Sequence, residues 1–429
     1  MRTYQSIIDQ FPQQMLAGEG DRLSLIKQVL DALGNPERTF QIIHVAGTNG
    51  KGSTGALLAR FLMASGQRVG HFNSPTLVNE REQILVDGQM IGEDTFVATF
   101  QKIEAALPSS LTIKSLTVFE WWTVVMLQYF ADQNVDWAVI ECGLGGTDDA
   151  TNVIGAPKIA VITHLALDHT RILGPTIEDI AMAKAGIIKA GTRAVVVAPN
   201  QPEKGRAVLI QRAKEAGVTL VEATQLVKVT LKGDVAHLKI TSGEGSVFTP
   251  CKLRGRFQEE NLTTALAVVI KLREQGLTVT LEAIERVLRE AVLPGRMQVI
   301  DHAPLVIIDG AHNPDAASQV AMTIKEEFAK KRVTMVLGFL ADKDVKKMVA
   351  TYQQVADHLV FTNPNHPTRA FDSRPLALAM GDEWAPTGPE AVEIARKLTP
   401  REGVIIVTGS FYLIKELEEL TDANLDRKP

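Results

Sequence analysis

Short apolar runs alternate with helical patterns along most of the chain. Three runs are apolar at every position, which is typical of parallel strands buried on both faces: residues 137–140, 159–162 and 194–197. Helical periodicity lies between and after them, over residues 176–188 and 202–216. This alternation predicts a doubly wound α/β sheet.

The pattern changes over residues 218–252. Residues 226–231 and 236–240 alternate apolar and polar side chains on either side of Gly233-Asp234, which predicts an antiparallel hairpin. One helical stretch is predicted after it, over residues 259–291.

Strand–helix alternation begins again after the hinge-like sequence Leu293-Pro294-Gly295-Arg296. The strand candidates there are residues 305–308, 333–337, 358–361 and 404–407. We therefore predict two domains. A P-loop-containing, mostly parallel, doubly wound sheet domain covers residues 1–294, and a smaller Rossmann-like α/β C-terminal domain covers residues 295–429.

Composition narrows the class of protein. The 429 residues are 45% hydrophobic and 22% charged, with a net charge of −5, which predicts a globular protein that does not bind nucleic acid. The two cysteines, Cys142 and Cys251, are too few for a disulfide framework. With neither a signal sequence nor a membrane-spanning apolar run, we expect a cytoplasmic protein, and a monomer.

A glycine-rich loop between a predicted strand, residues 41–46, and a predicted helix, residues 54–62, indicates phosphate binding. Its residues are Gly47, Thr48, Asn49, Gly50, Lys51, Gly52 and Ser53. Backbone N–H groups at a helix N-terminus suit phosphate, and a lysine there suits its outer oxygens. The loop departs from the standard pattern because Val45 replaces the first glycine and Gly52 separates Lys51 from Ser53. The alternative is a plain turn with one exposed lysine.

Polar residues also follow several other strand candidates, where open α/β sheets place their ligands. Glu141 and Asp149 follow one strand, and either could bind Mg²⁺ or be a solvated turn residue. His169 follows the next strand, close to His164 and Asp168.

Two further segments contain candidate catalytic or binding residues. Asp309 and His312 follow a strand in the predicted C-terminal domain, and a simple turn does not explain the pair. Lys184 and Lys189 are interpreted, from spacing alone, as solvated lysines on a helix.

The order of these pieces resembles one family, folylpolyglutamate synthase and dihydrofolate synthase of the Mur ligase superfamily. The resemblance covers nearly the whole chain. Its segments are residues 44–53, Ser74-Pro75, Phe119-Glu120, 141–152, 167–169, 184–189, Gln258 with Asn261, Arg296, 309–314, 341–344 and 408–410.

The resemblance implies an ATP-dependent amide ligase. ATP would phosphorylate the carboxylate of a reduced folate, and the amino group of L-glutamate would attack the acyl phosphate. Lys51 and the loop would hold the phosphates, while Ser74, Glu141 and His169 would bind Mg²⁺, of which two ions are expected. Lys184 matches the family lysine that carries a carbamate, which reverses the interpretation from spacing.

The resemblance also assigns residues across the expected cleft. The implied ATP contacts there are Asn261, Arg296 and Asp309, and the implied substrate contacts are Phe119, Asp149, His312 and Ser410. The implied catalytic residues are Lys51, Lys184, Asp309 and His312.

Alternatives remain open at this point. Thr147 and Thr76 stand where many bifunctional members have Arg and His, so the sequence does not decide whether dihydropteroate is also a substrate. The order Lys51-Gly52-Ser53 disfavours a peptidoglycan-type Mur ligase. The retained acidic, lysine and imidazole groups disfavour a nucleotide-binding regulator without turnover.

Overall fold

The computed structural model describes residues 2–12, 21–76, 79–233, 235–240 and 246–417. Helices alternate with strands over most of this length. The helices are α1 (Tyr4–Ile8), α2 (Arg22–Ala32), α3 (Lys51–Ala64), α4 (Glu93–Ala106), α5 (Val118–Asp132), α6 (Thr170–Leu173), α7 (Ile177–Ala185), α8 (Glu203–Glu215), α9 (Arg256–Glu274), α10 (Leu281–Glu290), α11 (Pro314–Glu327), α12 (Val345–Tyr352), α13 (Arg374–Met380) and α14 (Gly388–Leu398).

The strands form three sheets. They are β1 (Gln41–Ala46), β2 (Val69–Phe72), β3 (Ile84–Val86), β4 (Gln89–Met90), β5 (Trp137–Glu141), β6 (Ile159–Ile162), β7 (Ala194–Val197), β8 (Leu220–Glu222), β9 (Val227–Lys232), β10 (Val235–Ile240), β11 (Ser246–Pro250), β12 (Gln298–His302), β13 (Leu305–Ile308), β14 (Val333–Leu337), β15 (His358–Thr362), β16 (Glu383–Ala385) and β17 (Val404–Thr408).

The first sheet has the order β4-β3-β2-β5-β1-β6-β7-β8. Strands β2, β5, β1, β6, β7 and β8 are parallel, and β3 and β4 add an antiparallel edge. Helices α3 and α9 cover one face, and α2, α4 and α5 cover the other. The predicted doubly wound, mostly parallel fold is confirmed.

The register of this sheet places several predicted site residues together at the carboxyl ends of its central strands. Val45 on β1 lies opposite Glu141 on β5, and Ala46 lies opposite Ile162 on β6. The glycine-rich loop of residues 47–53, called the phosphate loop below, leaves the sheet beside Glu141 and the segment after β6. All three lie at the carboxyl ends of parallel strands.

The small sheet β11-β10-β9 is antiparallel, as the alternating pattern predicts, although Asp234 of the predicted turn lies outside the described residues. The prediction of one continuous helix over 259–291 is wrong. Gly276, with a φ of +96°, follows the end of α9, and α10 begins at Leu281. Glycine is favoured in such a left-handed position just past a helix end.

The third sheet has the order β12-β13-β17-β14-β15-β16. It contains the four predicted strands, and it adds β12, which is antiparallel to β13, and β16 at the far edge. We call the described residues up to Leu293 the N-terminal lobe and those from Arg296 onward the C-terminal lobe. The domain boundary at residue 294/295 stays a prediction.

No helix in the described ranges combines the length and apolar character needed to span a bilayer.

Candidate active site

A cleft between the two lobes brings most of the predicted site residues together. From the predicted set it is lined by Gly47, Thr48, Asn49, Gly50, Lys51, Gly52, Ser53, Ser74, Glu141, His169, Lys184, Asn261, Arg296, Asp309 and His312. Phe119, Asp149 and Ser410 are not part of this lining.

The phosphate loop leads directly into helix α3, whose first turn contains Lys51, Gly52 and Ser53. The first N–H groups of a helix have no partner within it, so this turn offers donors to an anion. Gly50 has a φ of +87°, and a Cβ there would lie 2.1 Å from the Asn261 side-chain oxygen. Glycine is therefore required at position 50, and helix α9 presses Asn261 against the loop.

Glu141 is the buried carboxylate at the base of the cleft, with 2% of its surface exposed. Its Oε1 lies 3.7 Å from Lys51 Nζ, and Ser74 supplies a backbone hydrogen bond to the carboxylate. Burial raises its pKa to about 6, against the lowering effect of Lys51. Its Oε2 has no hydrogen-bond partner among the described residues, so it can ligate a cation.

Glu141, Ser74 and His169 suit Mg²⁺ better than a metal ion that takes all of its ligands from protein side chains. The described ranges contain no group of three or more His, Cys, Asp or Glu side chains arranged to hold a metal ion. Mg²⁺ is usually bound by one or two carboxylates together with substrate phosphates and water. Glu141, with Ser74 and His169 also lining the cleft beside the phosphate loop, matches that pattern.

Lys184 is buried, with 4% of its surface exposed, and donates to the Gly47 carbonyl at 2.8 Å. Burial, helped by the charge of Lys51, lowers its pKa to about 7. Lys189 points elsewhere and donates to the Asn152 carbonyl at 2.8 Å. The interpretation of a solvated Lys184 from spacing alone is therefore wrong, because packing against the loop removes this amine from water.

The C-terminal lobe contributes Asp309 and Arg296. The Asp309 carboxylate accepts the Met297 and Ala311 backbone N–H groups, each at 2.9 Å. Burial raises the pKa of Asp309 to about 6, and Arg296 opposes that shift. The Arg296 guanidinium lies 4.2 Å from the centre of the Phe411 ring, a cation–π contact that holds it in the cleft.

His312 is neutral in this setting. Its Nδ1 lies 3.0 Å from the Gly310 carbonyl, which can only accept, so Nδ1 carries the proton and Nε2 has a free lone pair. Burial lowers the His312 pKa to about 4. His312 is therefore a neutral imidazole at neutral pH, and its Nε2 can accept a hydrogen bond.

The three predicted residues outside the lining have other surroundings. Asp149 accepts hydrogen bonds from the Leu144 and Thr151 backbone N–H groups at 2.7 and 3.0 Å, which shapes the turn after β5. Ser410 is buried, and its Oγ accepts from Leu413 N. The Phe119 ring packs so closely on the cleft residue Gly143 that a Cβ there would lie 2.5 Å away. Their substrate roles stay predictions.

The cleft also contains residues that the sequence analysis does not predict. They include Phe257, Glu260, Gln319 and Phe411. Phe411 directly follows Ser410, the last residue of a segment that matches the family, so its place in the sequence points to the site. The others lie on helices α9 and α11, where nothing in the local pattern distinguishes them from surface or core residues.

A phosphate loop that faces a second α/β lobe across a cleft is the arrangement of a Mur-type ligase, and two family models match accordingly. The Mur ligase middle domain matches residues 45–269, and the Mur ligase, glutamate ligase domain matches residues 295–411. The chain is therefore an ATP-dependent ligase of the Mur class.

Individual relatives narrow the family. The chain is 36% identical to the dihydrofolate synthase/folylpolyglutamate synthase of Mycobacterium tuberculosis, over 90% of this chain and 82% of that one. It is 33% identical to the folylpolyglutamate synthase of Lacticaseibacillus casei, over 96% of each chain. It belongs to the folylpolyglutamate synthase/dihydrofolate synthase family.

A solved structure agrees with this assignment. The bifunctional folylpolyglutamate synthase/dihydrofolate synthase of Yersinia pestis, complexed with AMPPNP and Mn ion, has a TM-score of 0.84 and 31% identity. The match covers 98% of this chain and 97% of that one.

Proposed function

We propose that the protein joins L-glutamate to the γ-carboxylate of a reduced folate, with ATP converted to ADP and phosphate. The observation that carries the proposal is the cleft itself, where the phosphate loop of one lobe faces Arg296, Asp309 and His312 of the other. The names of the Lacticaseibacillus casei and Mycobacterium tuberculosis relatives support the choice of substrates.

The reaction needs activation because a carboxylate is a poor acyl donor. Transfer of the γ-phosphoryl group turns one carboxylate oxygen into part of a leaving group, and the glutamate amine then displaces phosphate. Phosphoryl transfer depends mainly on positioning and on neutralising charge. Lys51 and the first turn of α3 bind the phosphates, and Arg296 approaches the same turn, since a Cβ on Gly52 would lie 3.7 Å from its Nη2.

Other residues of the cleft complete the binding of nucleotide and substrate. Asn261 lies beside the loop on α9 and binds the nucleotide, while Asp309 orients Met297 and Ala311 at the base of the C-terminal lobe. His312, whose Nε2 is unprotonated at neutral pH, accepts a hydrogen bond from the glutamate amino group and orients it for attack. Closure of the lobes keeps water from the acyl phosphate.

Mg²⁺ would be held by Glu141, Ser74 and His169, and the bound ion would neutralise phosphate charge. We propose two ions. The Mn ion in the Yersinia pestis complex supports a divalent metal in this family.

Lys184 is the proposed site of a carbamate. A lysine with a pKa of about 7 is unprotonated in about half of the molecules at pH 7, and that amine can attack CO₂, forming an N–C bond and releasing one proton. The product carries a negative charge where the lysine carried a positive one. It would support the cation site from the side of Gly47.

We further propose that residues 1–294 and 295–429 are the two domains, and that the protein acts as a cytoplasmic monomer. Cys142 and Cys251 are buried thiols that are not joined in a disulfide, which suits a reducing compartment. The proposed partners are ATP, a reduced folate and L-glutamate, without nucleic acid.

The direct test is phosphate release with a panel of acceptors. We expect ATP hydrolysis to require both a reduced folate and L-glutamate, with a product one glutamate longer by mass spectrometry. Phosphate release that is independent of glutamate would contradict the proposal.

The second candidate is that the protein also makes dihydrofolate from dihydropteroate and L-glutamate. The Mycobacterium tuberculosis relative, whose name includes both activities, favours it. Thr147, where many bifunctional members have Arg, donates instead to the Ala183 carbonyl at 3.0 Å. We expect slower turnover of dihydropteroate than of reduced folate, and no dihydrofolate at all would eliminate this second activity.

Metal binding is expected to weaken in acid. The raised pKa of Glu141, about 6, means that the metal-free protein takes up a proton there at a higher pH than an ordinary carboxyl does. Metal must displace that proton, so affinity is full above pH 6 and falls about tenfold for each unit below it. Mn²⁺ titrations followed by electron paramagnetic resonance at pH 7.5 and 5.0 measure the difference. In Glu141→Gln the affinity should be weak at both values, and equal wild-type affinities would refute the role of Glu141.

A further inference from the structure

The carboxylate of Asp168 lies where the two lobes meet. Its Oδ1 accepts the backbone N–H of His169 at 2.8 Å and the ammonium of Lys343 at 2.9 Å. Its Oδ2 accepts the side-chain amide of Asn313 at 3.1 Å. Each oxygen therefore binds a group from the C-terminal lobe, and one of them also binds the backbone of the next residue.

These contacts are shielded from water. The side chains of Asp168 and Lys343 are 11% and 8% exposed. Breaking a buried ion pair is costly because it leaves one charge without a partner, whereas an exposed pair contributes little. The pair can form only when the lobes are together, so it favours the closed arrangement.

The same contacts extend to the phosphate loop. The Asn313 amide that binds Asp168 also donates to the Asn49 side-chain oxygen at 3.0 Å. Asn49 in turn donates to Asp315 at 2.8 Å. Closure therefore fixes the loop and the segment after β6 through one set of side chains.

His169 needs support of this kind. Its φ of +51° lies in the left-handed region, which residues other than glycine adopt uncommonly. The hydrogen bond from its N–H to Asp168 helps to hold that conformation. His312, from the other lobe, has its Nε2 3.7 Å from the Asp168 carboxylate. His169, the predicted metal ligand, and His312, a predicted substrate contact, thus share one anionic neighbour.

We propose that Asp168 is a positioning residue that couples closure of the lobes to the orientation of His169. Lys343 and Asn313 bind the carboxylate on closure, and the carboxylate holds the His169 backbone in the conformation that turns its ring toward the cleft. The metal-binding part of this inference rests on the proposed function; the closure part does not.

The test uses Asp168→Asn, which keeps the shape and one oxygen acceptor but removes the charge that Lys343 binds. We expect kcat to fall by about tenfold or more, with a smaller change in KM for ATP. Mn²⁺ affinity of the AMPPNP-loaded protein should fall by a similar factor. The radius of gyration from small-angle X-ray scattering should increase, because the lobes separate.

Lys343→Gln provides the partner variant and remains informative if Asp168→Asn does not fold. The double variant should be no worse than the poorer single variant, because both remove the same contact. The matched control is Arg256→Gln. Arg256 also pairs across the lobes, with Glu326 at 3.4 Å, but both side chains are more than half exposed, and all readouts should stay as in the wild type.

Independent, additive losses would overturn the coupling. Unchanged Mn²⁺ affinity and radius of gyration in folded Asp168→Asn and Lys343→Gln would overturn the positioning role. A wild-type protein that ligates no glutamate would contradict the proposed function alone, because the scattering and Mn²⁺ measurements would still decide the role of Asp168.

Discussion

Replacing Lys51 with alanine is expected to lower kcat/KM by about a thousandfold or more, which in practice abolishes ligation. Lys51 lies in the first turn of α3, with its ammonium 3.4 Å from the Thr48 carbonyl and 3.7 Å from Glu141. It is the loop's only charged side chain, so the remaining loop donors are neutral. Glutamate-dependent phosphate release measures the loss.

The control is Lys27→Ala, which removes an exposed lysine that pairs with Asp31 on the surface of α2. It should keep wild-type turnover. Thermal melting should show that both variants fold. A folded Lys51→Ala protein with near-normal turnover would show that the loop does not bind the transferred phosphate.

Replacing Lys184 with alanine is expected to reduce turnover about a hundredfold or more, far beyond the effect of Lys189→Ala. The physical reason is the difference in surroundings. Lys184 faces the phosphate loop and the proposed cation site. Lys189 instead donates to the backbone carbonyls of Asn152 and Ile154. Short carboxylates such as acetate or formate should partly restore the Lys184→Ala activity, because they replace the missing anion.

Lys184→Arg separates charge from chemistry. Arginine keeps the cation but cannot form the carbamate, so this variant should be as inactive as Lys184→Ala. Lys189→Ala should instead lower the free energy of unfolding by about 1–3 kcal/mol, since it leaves buried carbonyls without a donor. Equal losses of turnover in the Lys184 and Lys189 variants, without rescue, would rule out the carbamate.

The local pattern of apolar and polar residues was sufficient to predict the strands that carry the site. Apolar runs became parallel strands, and the loop after residues 41–46 led into a helix, because burial on both faces and glycine-rich turns leave clear local signals. Short edge strands such as β12 and β16 have no such run, and the break at Gly276 was hidden inside a stretch of helical periodicity.

Lys184 shows where local pattern fails. The spacing of residues along its helix predicts a solvated lysine. Its ammonium instead donates to the carbonyl of Gly47, which lies 137 residues earlier in the chain. Only resemblance to a family indicated its importance before the structure. A pKa near 7 arises from burial and from Lys51, and neither can be read from residues 181–189.

The contact between Asp168 and Lys343 is even less predictable from local pattern. They are 175 residues apart, and each alone resembles an ordinary polar residue at a strand end. The sequence by itself determined the sheet, the phosphate loop and the family, because these depend on periodicity and on residue order. Only the tertiary structure decided which polar groups are buried together across the cleft, because desolvation and pairing depend on contacts between distant segments.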